Sequence, residues 1–242
     1  MSGHSKWANI KHKKAKGDAE KGKIFTKVGR EIAVAVKEGG SDPLSNSRLR
    51  DAIAKAKENN IPNDNIMRSI KKASGELGNV NYEDIVYEGY AAGGIAVIVE
   101  ALTENKNRTA GDVRHLFDKN GGSLGQSNCV SYMFDRKGVI IIDAEGLNED
   151  DLFMLAIEAG ADDIITGEEI YEIYTVPSEY SKVRENLEKQ GLKILESDIE
   201  YIPQNTIKIE SEEIESKVRK LIEMLEDLDD VQNVYHNGEL DE

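Results

Sequence analysis

"GVIIIDAEGLNEDDLFMLAIEAGADDIITGEEIYEIYTV", residues 138–176, and "SEYSKVRENLEKQGLKILESDIEYI", residues 178–202, contain six segments, four with the pattern of a strand and two with the pattern of a helix. Short apolar runs typical of strands flank two stretches in which apolar residues recur every three or four positions, the spacing of a helix face. Asn148 and Ser178 stand where the N-caps of these helices belong, and a glycine follows each helix. The order β-α-β-β-α-β is that of a ferredoxin-like domain, which we predict for residues 137–202.

The segments on either side are predicted to form one discontinuous α/β domain. "YEDIVYEGYAAGGIAVIVEAL" (residues 82–102) alternates apolar and polar residues around two glycines, which predicts two paired strands. A helix is expected over residues 110–119, then the loop "NGGSLG", then a strand over residues 130–134. After residue 202 only a short strand, one helix and a last strand remain. These are too few to be stable alone, so we expect them to complete the sheet begun earlier.

The front of the chain is predicted to be an arm followed by three helices. Phe25, Val28, Ile32 and Val36 recur at steps of three and four residues, and two glycines follow them. The next helix is expected to be capped by the residues of Ser41-Asp42-Pro43 and broken by "NNIP". In the third helix, we expect three apolar side chains to be buried: Ile66, Met67 and Ile70.

The predicted fold class is therefore α+β and multidomain, with an N-terminal helical domain plus two α/β domains, the third ferredoxin-like and inserted in the second. The predicted bounds are residues 1–78 for the basic arm and helical domain, 79–136 plus 203–242 for the discontinuous α/β domain, and 137–202 for the inserted domain.

Charge is divided very unevenly along the chain. The 242 residues carry a formal net charge of −15. Residues 1–72 hold 17 Lys and Arg against 8 Asp and Glu, a net charge of +9, whereas residues 73–242 hold 14 against 38, a net charge of −24. Such a division predicts that the basic part binds a polyanion and that the acidic part would be repelled by one.

The first 30 residues supply most of the candidate nucleic-acid contacts. Lysine and arginine side chains neutralise phosphates without regard to sequence, and Trp7 and His12 could stack on unpaired bases. The alternative is a solvated basic surface in which Trp7 anchors the arm to the helices. The candidates are Lys6, Trp7, Lys11, His12, Lys13, Lys14, Lys16, Lys21, Lys23, Lys27 and Arg30.

Two further segments add candidates. The helices around "NNIP" resemble a helix-turn-helix, whose second helix would present Arg68, Lys71 and Lys72 to nucleic acid, although any three-helix bundle contains such a pair. Arg108 and Arg114 lie between a strand and a glycine-rich loop, where phosphate contact and a structural role are both open.

Enzymatic chemistry finds little support in the sequence. The four histidines lack metal-site spacing, and Cys129, the only cysteine, lies in a predicted strand as a small buried thiol. We therefore predict no catalytic residue, no metal, no cofactor and no small-molecule substrate. With no apolar run long enough to span a bilayer and no secretory signal, we expect a cytoplasmic protein without a membrane partner.

Four stretches resemble the YebC/PmpR family of bacteria, to which the mitochondrial translational activator of cytochrome oxidase also belongs. They are "GHSKWANIKHKKAKGDAEKGKIFTKVGREI", "NSRLRDAIAKAKENNIPNDNIMRSIKK", "YEGYAAGGIAVIVEALTENKNRT" and "VRHLFDKNGGSLG". One departure is Lys106, where the family pattern has an arginine; a lysine there keeps the charge but loses the bidentate geometry.

The resemblance implies a helical N-terminal domain and two α/β domains, the last inserted in the second. It also implies a DNA-binding transcriptional regulator of the YebC type. Some family members resemble ribosome-associated translation factors instead, which bind rRNA and relieve stalling at proline runs. The charge pattern predicts a nucleic-acid partner and leaves DNA and the ribosome open as alternatives.

Overall fold

The computed structural model describes residues 18–76 and 81–240. These residues form two compact units. One unit contains the described residues up to Ser74 together with Arg136–Glu200, and the other contains Gly75–Asp135 and the described residues from Tyr201 onward. The predicted helical and ferredoxin-like domains thus share one unit. The three-domain bounds given above remain a prediction.

Three helices form the front of the first unit: α1 (Asp18–Gly39), α2 (Ser47–Glu58) and α3 (Asn63–Lys71). They pack around a core of aliphatic side chains: Val28, Ile32, Ala35, Leu49, Ala52, Ile66 and Ile70. Met67, predicted to be buried, is 63 % exposed, because it lies about 100° around α3 from the buried Ile66 and falls at the edge of the buried face.

Asn46 caps α2, and Ser41-Asp42-Pro43 does not. The side-chain oxygen of Asn46 accepts a hydrogen bond from the N–H of Leu49, and its amide donates to the carbonyls of Ala35 and Gly40 at 2.7 and 2.8 Å. The buried asparagine therefore ends α1 and starts α2 at once, and residues 41–45 form the turn before it. The cap predicted at residues 41–43 was wrong.

The rest of this unit is the ferredoxin-like domain, whose elements follow in the predicted order. They are β4 (Phe134–Asp143), α5 (Glu149–Ala159), β5 (Asp163–Thr166), β6 (Ile170–Thr175), α6 (Tyr180–Lys189) and β7 (Ile194–Pro203). The sheet order is β5-β6-β4-β7, with Ile173 of β6 opposite both Ile140 and Ile164. Asn148 caps α5 as predicted, whereas Glu179 precedes α6 in place of Ser178.

A polar stripe on α2 joins the helices to the ferredoxin-like domain. Asp51, Lys55 and Glu58 lie on one face of α2 at four- and three-residue steps. Lys55 Nζ donates to Asp198 Oδ2 at 2.7 Å and to Glu31 Oε1 at 2.8 Å. Asp51 accepts from the hydroxyl of Ser181 on α6, and Glu58 accepts from the hydroxyl of Ser197 on β7 at 2.7 Å.

The second unit is a sheet covered by two helices. Its elements are β1 (Glu83–Tyr90), β2 (Ala96–Thr103), α4 (Lys106–Lys119), β3 (Ser123–Leu124), β8 (Ile207–Lys208), α7 (Glu212–Glu226), β9 (Val231–His236) and β10 (Gly238–Glu239). The sheet order is β3-β1-β2-β9, so the strand from the end of the chain completes the sheet as predicted. The strand predicted over residues 130–134 is instead a short 3-10 turn, Ser131–Met133, that leads into β4.

The fold class predicted from the sequence is confirmed: the chain combines a helical N-terminal region with two sheet-containing parts, one of them ferredoxin-like. Within residues 18–76 and 81–240, the helices are all too short or too polar to span a bilayer.

Candidate nucleic-acid interface

Helix α1 carries four of the predicted phosphate contacts, three on one face and one on another. Lys23, Lys27 and Arg30 follow one another at four- and three-residue steps on one face of the helix and are half-buried. Lys21 is exposed and lies one turn before Phe25, on a different face. All four side chains also take part in further polar or electrostatic interactions within the chain.

Helix α3 and the turn after it supply three more cations. The side chains of Arg68, Lys71 and Lys72 are exposed, and none of them has an acidic partner within ion-pair distance in the described part of the chain. Three uncompensated positive charges within five residues favour contact with an anionic surface.

Seven of the predicted contacts lie outside the described residues and remain predictions: Lys6, Trp7, Lys11, His12, Lys13, Lys14 and Lys16. They directly precede α1 in the sequence, so they extend the basic segment from its N-terminal end.

Several other cations of the basic part have internal partners. Lys55 is held between two carboxylates, Arg48 pairs with Glu38 at 2.7 Å, and Arg50 donates to the carbonyl of Pro43 at 2.9 Å. A count of charges along the sequence therefore overstates how many cations this part can offer to a phosphate backbone. By this criterion Arg68, Lys71 and Lys72 are the strongest candidates among the described residues, and the cations of α1 come after them.

A groove of ≈ 300 Å³ lies between α1 and α3. Its floor is apolar, and three polar residues from α3 lie along it. The lining consists of Phe25, Val28, Gly29, Ile32, Ile61, Asn65, Ile66, Arg68 and Ser69. Of these residues, the sequence suggests Asn65 and Arg68 as contacts to nucleic acid and the apolar ones only as core, so the groove itself was missed. One signal was available: Gly29 lies in the interior of α1, where a glycine costs about 1 kcal/mol relative to alanine.

The segment around Arg108 and Arg114 is tied into the second unit. Asn105 caps α4 by accepting from the N–H of Arg108. The guanidinium of Arg108 donates to Asp230 at 3.0 Å, and the same carboxylate accepts from the hydroxyl of Thr109 at 2.7 Å. Arg108 thus has a structural role. Arg114 is exposed on α4, and phosphate contact by either arginine stays a prediction.

The glycine-rich loop after α4 is held by close packing. A Cβ atom at Gly122 would lie 2.6 Å from the carbonyl oxygen of Tyr90, and one at Gly125 would lie 2.5 Å from Cys129 Sγ. These glycines let the loop pass directly against β1, so packing is enough to explain them.

A buried carboxylate fixes the chain just beyond this loop. Glu88 of β1 is 5 % exposed and accepts three backbone hydrogen bonds, from the N–H groups of Asn128, Val130 and Ser131 at 2.8, 2.9 and 2.8 Å. Burial alone would raise the pKa of Glu88, but the three donors outweigh it and lower the pKa below its ordinary value. The sequence analysis did not identify this residue.

The described residues contain no group of three or more histidine, cysteine, aspartate or glutamate side chains arranged to hold a metal ion. The thiol of Cys129 is partly buried beside Glu88, and both burial and that carboxylate raise its pKa. A thiol with a raised pKa is mostly protonated at neutral pH and is a weak nucleophile.

Comparison with known proteins places the whole chain in one family. Residues 5–76 match the family description "TACO1/YebC protein N-terminal domain", and residues 82–238 match "TACO1/YebC second and third domain". A probable transcriptional regulatory protein of Acetivibrio thermocellus is 61 % identical over 98 % of both chains. One from Caldicellulosiruptor saccharolyticus is 59 % identical over the full length of both.

Among solved structures, a conserved hypothetical protein from Aquifex aeolicus has a TM-score of 0.83 to this chain, with 52 % identity over 94 % of each. The match in sequence and fold extends through the basic helices, the ferredoxin-like domain and the second sheet. The chain therefore belongs to the TACO1/YebC family.

Proposed function

We propose that this protein is a nucleic-acid-binding regulator of gene expression, and specifically a DNA-binding transcriptional regulator of the YebC type. The observation that carries the proposal is the charge division, with a net charge of +9 over residues 1–72 and −24 over the remainder. The names of the relatives, probable transcriptional regulatory proteins, support regulation.

In this proposal the basic part grips the phosphate backbone. Lysines before α1, the cations on α1, and Arg68, Lys71 and Lys72 neutralise phosphates and release counterions, which makes binding strongly dependent on salt. The acidic remainder is repelled by the same backbone, so the protein approaches it through its basic part.

A second candidate function is that of a ribosome-associated translation factor that binds rRNA. The observation favouring it is the orientation of α3. Asn65, Arg68 and Ser69 line the groove against α1, whereas the recognition helix of a helix-turn-helix presents its polar side chains outward into a major groove. A base whose edge enters a groove of the protein must be unpaired, and unpaired bases are common in structured RNA.

Replacing Lys11, Lys13, Lys14 and Lys16 together by alanine tests phosphate binding by the basic part. We expect about a hundredfold weaker binding to duplex DNA or ribosomes near 0.1 M salt, and a shallower salt dependence, because up to four phosphate contacts are lost. Affinity is measured across a salt series, by fluorescence anisotropy for DNA and by co-sedimentation for ribosomes.

The matched control removes the same charge from the acidic part. Alanine at four exposed lysines there, Lys119, Lys182, Lys208 and Lys220, should leave the affinity nearly unchanged. Equal weakening by both variants would mean that only net charge matters, and the proposal would fail. Ribosome binding that survives excess duplex DNA would favour the translation factor, and release by the duplex would favour the transcriptional regulator.

A further inference from the structure

We propose that the groove between α1 and α3 binds one unpaired nucleobase, while the neighbouring lysines hold the phosphates of the same strand. This inference rests on the proposed function and makes it more specific. It names the part of the nucleic acid that the helical domain recognises, and it requires a single-stranded segment whether the strand is RNA or DNA.

The floor of the groove fits the flat face of a base. Val28, Ile32 and Ile66 are 2–3 % exposed and form an apolar surface. The partly buried ring of Phe25 lies beside them and offers an aromatic stacking partner. A volume of ≈ 300 Å³ is at the lower end of the range for small-ligand pockets, which suits a single base.

The other lining residues fit the edge of a base. Asn65, Arg68 and Ser69 bring an amide, a guanidinium and a hydroxyl to the groove. Together these groups can donate and accept hydrogen bonds, and a base presents both donors and acceptors along its Watson–Crick edge. In a duplex this edge is paired and both faces are stacked, so the groove is suited to an unpaired base.

Charges next to the groove fit the strand on either side of that base. Lys21 lies four residues before Phe25, and Lys72 lies three residues after Ser69. At these spacings each lysine lies one helical turn from a residue that lines the groove, on the same face of its helix. Both side chains are exposed, so they can reach phosphates of a strand whose base occupies the groove.

Gly29 keeps the groove open. A Cβ atom built at Gly29 meets no other atom within 4 Å, so the space beside it is empty. A glycine in the middle of a 22-residue helix weakens that helix, and no close contact explains its presence. The space is empty because glycine has no side chain, and a larger side chain at this position would fill it.

The test compares two strands with the same phosphates: a labelled 12-nucleotide oligouridylate and an abasic strand of equal length. Base stacking and edge contacts should make the parent protein bind the oligouridylate about tenfold more tightly than the abasic strand. Gly29→Leu should abolish this preference, because the leucine fills the groove, while the affinity for the abasic strand stays the same.

Gly22→Leu is the matched control, because Gly22 lies in the same helix, has equally open space around it and does not line the groove. This variant should keep the tenfold preference. Both leucines are better helix formers than glycine, so helicity and Tm should not fall. If Gly29→Leu nevertheless fails to fold, Phe25→Leu decides: it keeps the apolar packing and should reduce the preference severalfold by removing the ring.

The outcomes separate this inference from the proposed function. Equal binding of both strands by the parent would overturn the base pocket while leaving phosphate binding intact. An undiminished preference in Gly29→Leu would also overturn it, because the base would then bind elsewhere. Binding of neither strand, nor of duplex DNA or ribosomes, would overturn the proposed function and the base pocket together.

Discussion

Replacing Lys55 by methionine is expected to lower the free energy of unfolding by about 3–5 kcal/mol, which is typical for breaking a buried ion pair by removing one partner. Lys55 Nζ lies 2.8 Å from Glu31 Oε1 and 2.7 Å from Asp198 Oδ2, and the three side chains are only 20–30 % exposed. Without the ammonium group, two carboxylates would face each other across a poorly hydrated gap.

The pKa directions at this site show how strongly the groups depend on one another. Burial alone would lower the pKa of Lys55, but the charges of Asp198 and Glu31 outweigh it and hold the pKa well above its ordinary value. For Glu31, burial is the larger influence, and its pKa is raised despite the charge of Lys55. The lysine is therefore charged at any pH at which the protein is handled.

Three comparisons test this account by chemical denaturation. Lys57→Ala changes an exposed lysine of the same helix and should alter stability by less than about 0.5 kcal/mol. Adding Glu31→Gln and Asp198→Asn to Lys55→Met should restore most of the loss, because no charge is then left unpaired. A Lys55→Met protein as stable as the parent at pH 7 would show that the ion pairs of Lys55 with Glu31 and Asp198 contribute nothing to stability.

The pH dependence of the Lys55→Met deficit has a definite sign. Carboxylates whose folded pKa is raised take up protons on folding, so their cost to stability disappears as the pH falls through that folded pKa. Lys55→Met should therefore regain stability relative to the parent as the pH falls through the raised pKa of Glu31.

The ferredoxin-like domain could be predicted from the sequence because its local signals agree. Apolar spacing, the cap at Asn148 and the glycine at 160 all indicate the same helix, and the strands contain long β-branched runs. The errors came where several residues compete for one role. Ser41, Asp42 and Asn46 can all cap a helix. Packing against α1 selects Asn46, whose amide also donates to two carbonyls at the end of α1.

The candidate site was only partly predictable, for a physical reason. Charge is visible in a sequence, so the cations of α1 and α3 could be named in advance. Whether a cation is used internally depends on contacts between distant residues, as with Lys55 and Asp198, which are 143 positions apart. The groove likewise arises from the packing of Phe25 and Gly29 against residues some 40 positions away, which no local pattern records.

Replacing Glu88 by alanine is expected to lower the free energy of unfolding by about 3 kcal/mol, because it leaves backbone N–H donors without an acceptor. The carboxylate accepts from Asn128, Val130 and Ser131, and Val130 is fully buried, so water cannot replace every lost bond. Asn128 has a φ of 65°, in the left-handed region that non-glycine residues seldom adopt. The hydrogen bond to Glu88 helps to hold this conformation.

Glu88→Gln tests how much of the effect depends on the charge of Glu88, and Glu83→Ala is the control for losing a glutamate elsewhere on β1. Glutamine keeps one acceptor oxygen but turns an NH₂ group toward a donor, so we expect about half the loss. Glu83 is an exposed residue of the same strand, and its removal should cost less than about 1 kcal/mol. Thermal and urea unfolding of the four proteins measures these differences. Losses of similar size at both positions would contradict the proposed role of Glu88.

The same carboxylate should make the second unit lose stability on acidification, whereas Lys55→Met should regain stability relative to the parent. Because the folded pKa of Glu88 is lowered, its contribution is present above the unfolded pKa, near 4.3, and is lost as the pH falls through the folded value. The stability gap between the parent and Glu88→Gln should therefore be largest near neutral pH and should close as the pH falls through the lowered folded pKa of Glu88. A gap independent of pH between 7 and 3 would mean that packing, and not the ionised carboxylate, holds residues 128–131 in place.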